Sequence, residues 1–131
     1  MSSIIEIQCR ELIRECLRMD LMKRDLYSRH ELVLKEFSEI SSPTSTEIEY
    51  VIYTLEDVLI NATTCFREVM KSLTKHVTLE FIDLCKKKNL QPLLKQRLRR
   101  VINHWFRTNK TQIFTRTNYK DYLRVMKLIF G

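Results

Sequence analysis

The chain has 131 residues, 44% of them hydrophobic, which is enough for one domain with its own core and no metal or disulfide staples. Gly131 is the sole glycine, so phosphate-cradling loops, dinucleotide fingerprints and glycine-dependent hairpins are excluded for want of close backbone approach and tight turns. The net charge of +7 is unevenly spread: the first 65 residues carry 7 Lys/Arg against 12 Asp/Glu, and the last 66 carry 16 against 4, so the C-terminal half should attract polyanions or acidic protein segments.

Helical periodicity runs through almost the whole chain. Residues 4–26 place Ile5, Cys9, Leu12, Ile13, Cys16, Leu17 and Leu21 at the spacing of one amphipathic helix. Its charged residues include Glu6–Arg10 and Asp20–Arg24, four apart, which read as solvent-face pairs worth a few tenths of a kcal/mol each. Ser28 followed by Glu31 makes a capping box, predicting a second helix through Leu34, Phe37 and Ile40. Residues 41–46 form a polar linker, with Pro43 suited to the first turn of a third helix. That helix carries Ile48, Val51, Ile52, Leu55, Val58 and Leu59, and residues 61–64 break it.

A short fourth helix holds Cys65, Phe66, Val69, Met70 and Leu73. Thr78 is placed to cap a fifth, running from Leu79 into Lys86, Lys87 and Lys88, where lysines suit the negative end of the helix dipole. Asn89 and Pro92 separate it from a sixth helix over 91–108. That helix has an apolar stripe of Leu94, Leu98, Val101, Ile102 and Trp105, opposite Lys95, Arg97, Arg99, Arg100 and Arg107. A polar stretch over 108–115 leads to a last helix with Tyr119, Tyr122, Leu123, Met126 and Phe130. The expected architecture is all-α, a bundle of six to eight short helices in a single domain over 1–131.

Chemistry is sparsely provided for. Cys9, Cys16, Cys65 and Cys85 lack Cys-x-x-Cys spacing and read as small apolar residues in a reduced core. Pairing Cys85 with His76 would need an orienting group and an oxyanion site, and the sequence offers neither. The expectation is therefore no enzyme, no metal and no cofactor. No apolar run approaches the roughly 20 residues of a membrane span, and the opening residues lack a secretory signal pattern, so cytosol or nucleus is expected. Trp105 sits on the buried stripe and reads as core. The sharper signal is the basic tract Lys86, Lys87, Lys88, Lys95, Arg99 and Arg100, which can neutralise phosphates or steer an acidic peptide.

The stretch from Val77 through Phe81, Leu84, Lys86–Lys88 and Val101-Ile102-Asn103-His104-Trp105 resembles the end of the TFIIS N-terminal domain, the LW domain. Pro92-Leu93-Leu94-Lys95, then Val101-Ile102, Trp105 and Arg107, is similar to the core of the Iws/Spn family of transcription elongation factors. Arg14-Glu15, Asp20, Leu34-Lys35 and Glu39-Ile40 follow that family's order, whereas residues 41–76 do not match. The family's Leu-Glu-Pro-Leu-Pro-Asp loop is absent, and Thr78-Leu79 replaces its Gly-Lys pair.

The resemblance implies a right-handed, TFIIS N-terminal-domain-like bundle. Its LW-type core would cover about 28–108, flanked by the helix over 4–26 and another over about 116–130. It also implies a non-enzymatic, nuclear interaction module that docks a peptide of the histone chaperone Spt-six and travels with RNA polymerase II. The groove for an acidic, aromatic-bearing segment is expected near Leu79, Ile82 and Asp83, with Lys75 and Lys86 as rim charges. The alternatives are a nucleic-acid-binding module using the tract over 86–100, and an unrelated helical adaptor.

Overall fold

The computed structural model describes residues 3–18, 23–63, 65–108 and 116–131. Among them are seven helices and no strand: α1 (Ile4–Arg18), α2 (Lys23–Ser38), α3 (Ser45–Asn61), α4 (Phe66–His76), α5 (Leu79–Lys87), α6 (Gln91–Thr108) and α7 (Arg116–Phe130). The all-α class follows from the sequence, since apolar side chains recur every three to four residues and almost nothing breaks the helices. The chain packs as two compact units, Met1–Thr63 and Thr64–Gly131. This division lies inside the LW-type core expected over 28–108. It also coincides with the charge division, because residues 1–63 hold 7 Lys/Arg and 12 Asp/Glu while residues 64–131 hold 16 and 4.

In the first unit α3 packs against both α1 and α2, and α1 against α2. Six apolar side chains of α3 are buried (Ile48, Val51, Ile52, Leu55, Val58 and Leu59), each contributing about 1.5–3 kcal/mol relative to exposure. Buried Thr54 satisfies its hydroxyl by donating to the Val51 carbonyl at 2.8 Å. The helix begins at a capping box: Glu47 N–H donates to Thr44 Oγ1 at 3.1 Å, and Thr44 N–H to Glu47 Oε1 at 3.0 Å. The bond from the Thr44 backbone holds the Glu47 carboxyl below the usual range. Its stabilising effect is present above the ordinary carboxylate pKa and is lost as pH falls through the lowered one. Pro43 precedes this cap rather than occupying the first turn.

Two sequence expectations change here. The single helix over 4–26 is two elements, α1 and α2. Arg29 donates to Glu15 in an ion pair, and Leu12 faces Val33 across a shared groove. A straight helix would hold residues 15 and 29 about 21 Å apart, so α1 and α2 run antiparallel. Ser28 is an exposed residue inside α2, so the Ser28–Glu31 box starts no helix. The expected Asp20–Arg24 pair and Leu21 lie outside the described residues or side chains. Arg10 donates to Tyr50 Oη at 3.1 Å and lies 5.5 Å from that ring's centroid, which ties α1 to α3.

In the second unit α4 packs on α7 and α5 on α6. α4 buries Phe66, Val69, Met70 and Leu73, one face of a short helix. α6 buries Leu94, Leu98, Val101, Ile102 and Trp105, the stripe read from its spacing. Phe106 meets Tyr122 edge-on at 5.1 Å, and Arg99 lies 5.0 Å from the Phe130 ring centroid. Those two pairs make α6 and α7 antiparallel. The polar stretch expected over 108–115 lies outside the described residues beyond Thr108.

Candidate functional site

The basic tract is built on the corner between α5 and α6. Thr78 caps α5 by accepting from Phe81 N–H at 3.2 Å. Its nine residues turn Phe81, Ile82 and Cys85 inward. The outward face carries Leu79, Glu80, Asp83, Lys86 and Lys87, and Leu79, Asp83 and Lys86 follow i, i+4, i+7 spacing along one line.

The corner is fixed by backbone hydrogen bonds. Asn89 N–H donates to the Lys86 carbonyl at 3.1 Å, and Leu90 N–H to the Cys85 carbonyl at 2.7 Å. This is a Schellman motif, with Asn89 at φ 59° in the left-handed position usually given to glycine. Leu94 N–H then donates to the Leu90 carbonyl at 2.9 Å and opens α6. Lys86, Lys87 and Lys88 stand exposed at this reversal. Asn89→Ala is expected to cost about 1 kcal/mol, because the short polar side chain of asparagine eases the left-handed conformation by local hydrogen bonding and that of alanine cannot. Asn89→Gly should match or exceed the wild type. Urea denaturation followed by circular dichroism reads both.

The sequence-selected residues separate by exposure. Lys75 is exposed on the last turn of α4, and Leu79 is 63% exposed. Asp83 and Lys86 are exposed, but Ile82 is only 5% exposed. Of the three residues around which the groove was expected, Leu79, Ile82 and Asp83, Ile82 is therefore the buried one. That side chain lies on the inward face with Phe81 and Cys85, and Ile82→Ala would report on packing rather than docking. Of the polyanion candidates, Lys86, Lys87, Lys88, Arg99 and Arg100 are exposed, whereas Lys95 is half-buried. Arg99 lies against Phe130, which restricts its guanidinium on the surface. Trp105 is 3% exposed and meets His104 edge-on at 5.9 Å, so it belongs to the core.

Sequence reasoning passed over a second basic line. On α7, Lys120, Leu123, Arg124 and Lys127 are all exposed. Their i, i+3, i+4, i+7 spacing was readable as one face.

Three of the four thiols are buried. Burial pushes Cys9 up to about 12, Cys16 to about 11 and Cys85 to about 12, so each is a neutral thiol at physiological pH. Alkylation of the native protein at pH 8 is expected to modify the half-buried Cys65 first, and the other three only on unfolding. Mass spectrometry of the labelled protein checks this order. Among the described residues no group of His, Cys, Asp and Glu could hold a metal ion, and no helix is long and apolar enough to cross a membrane.

No protein-family model, curated protein or solved structure matches the chain. The likeness to the Iws/Spn elongation factors is carried by the residues quoted for it alone.

Proposed function

We propose that this chain is a non-enzymatic protein-interaction module whose C-terminal unit holds an acidic peptide segment bearing an apolar anchor. The observation that supports this reading is the outer face of the α5–α6 corner. Exposed Leu79 shares a helix with Lys86 and Lys87, Lys88 follows at the turn, and Arg99 and Arg100 stand exposed further along α6. Leu79 offers an apolar foothold, and the cations steer and pair with carboxylates. Glu80 and Asp83 on the same helix would oppose a continuous phosphate backbone, but a peptide of mixed side chains can avoid them. On the resemblance, a segment of Spt-six is the first partner to test, in a nuclear role in transcription elongation with RNA polymerase II.

A second reading, nucleic-acid binding through the tract over 86–100, is favoured by the joint exposure of Lys86, Lys87, Lys88, Arg99 and Arg100. On α5 and α6 no aromatic side chain is exposed among the described residues, so base stacking has no platform there. Fluorescence anisotropy with the full chain separates the two readings. A labelled acidic, aromatic-bearing peptide is expected to bind with micromolar affinity, and duplex DNA or single-stranded RNA more weakly. Tighter nucleic-acid binding that collapses steeply with salt, and no peptide binding, would overturn the peptide reading in favour of the second.

A further inference from the structure

Two other exposed faces are opposite in charge, and each carries exposed apolar side chains. Among the large apolar side chains exposed in the described residues, Ile4, Ile7 and Leu32 lie on α1 and α2, while Tyr119 and Leu123 lie on α7. The α1–α2 pair encloses a groove of about 230 Å³ between its antiparallel helices. Leu12 and Val33 are buried at its base, and Leu32 is 62% exposed beside it. Exposed Glu11 and Glu36 form acidic lips, one on each helix. Gln8 also lines the groove, and its Oε1 is buried with no hydrogen-bond donor among the described residues. The Arg29–Glu15 ion pair marks the end of the groove away from Gln8 and Glu36.

A groove between two helices, with an apolar base and acidic lips, accepts an amphipathic helix that presents an aliphatic side chain flanked by cations. The α7 helix presents that pattern, with Leu123 among Lys120, Arg124 and Lys127 on one exposed face. We propose that this chain self-associates, the exposed face of α7 from one copy lying in the α1–α2 groove of another. Leu123 covers Leu32, and the α7 cations pair with Glu11 and Glu36. A second copy is the occupant because the same chain carries both complementary faces, each on a unit whose net charge has the matching sign. The contact joins unlike surfaces, so each copy that docks still carries a groove and a helix for the next contact. It uses none of the cations of the α5–α6 corner and stands apart from the function proposed above.

The test uses the full chain in sedimentation equilibrium across micromolar concentrations. Salt is set near 0.1 M, where a Debye length of about 10 Å screens the repulsion between two net-positive copies but spares close pairs. Two charge-swapped variants are compared, Glu11→Lys with Glu36→Lys, and Lys120→Glu with Arg124→Glu, each checked for folding by circular dichroism. The wild type is expected to exceed monomer mass with rising concentration. Either variant alone should associate at least about tenfold more weakly, since like charges then face each other. Mixing the two in equal amounts should restore association, because each groove then meets a helix of opposite sign. The Lys86→Gln, Lys87→Gln, Lys88→Gln variant should associate as the wild type does. A wild type that stays monomeric, a swapped variant that associates like the wild type, or a mixture that gains nothing would overturn the proposal.

Discussion

Neutralising Lys86, Lys87 and Lys88 together, each to Gln, is expected to weaken binding of an acidic peptide by roughly three- to 150-fold at low ionic strength. Three rim charges at about 0.2–1 kcal/mol each supply that range. The loss should fall mainly on the association rate and shrink as salt is added, because exposed cations steer a partner over a distance that salt shortens. If the partner is duplex DNA instead, the slope of log affinity against log salt should flatten by about 0.9 for each phosphate contact removed. Stability should hardly move, since all three side chains are exposed. Stopped-flow association with a labelled peptide, beside a urea titration of the same variant, separates these quantities.

Replacing Trp105 with alanine is expected to have the opposite profile. Trp105 is 3% exposed and continues the stripe of Leu94, Leu98, Val101 and Ile102. Removing so large a side chain leaves a cavity and costs about 3–5 kcal/mol, against a total stability of about 5–15 kcal/mol for a native protein. The urea midpoint should fall steeply, and circular dichroism reads it because the variant lacks the sole tryptophan and with it the fluorescence signal. Trp105→Phe should recover most of the loss by filling most of the volume. A midpoint unchanged by Trp105→Ala would place this side chain outside the core.

The contrast shows which parts of the molecule were legible in the sequence. The sixth helix over 91–108, the Thr78 cap and the burial of Trp105 were readable because each depends on local spacing. The reversal between α1 and α2 was not, because apolar spacing continues on both sides of it and no proline or glycine marks it. Ser28 and Glu31 have the residues of a capping box, yet α2 runs straight through them. The box that forms is Thr44 with Glu47, behind Pro43. A capping pattern becomes a cap only where the preceding residues leave the helix, which tertiary packing decides.

The docking surface was partly legible. The charges of Lys86–Lys88 were plain, but the register of α5 was not fixed by a helix of nine residues with apolar side chains at 79, 81, 82, 84 and 85. Such a helix can turn either Leu79 or Ile82 outward. Packing against α6 decides it, leaving Leu79 in solvent and Ile82 inside. The break at Asn89 was legible, but its Schellman form was not, because asparagine marks the left-handed position less plainly than glycine.

Docking of a partner on the α5–α6 corner of the C-terminal unit is the proposal on which the function rests. Backbone amide shifts of the isotopically labelled full chain, followed by nuclear magnetic resonance while an acidic, aromatic-bearing peptide is added, test it most directly. Saturable shifts concentrated between Leu79 and Arg100 are expected, with residues 3–63 unmoved. Shifts confined to 3–63, or none at millimolar peptide, would contradict it.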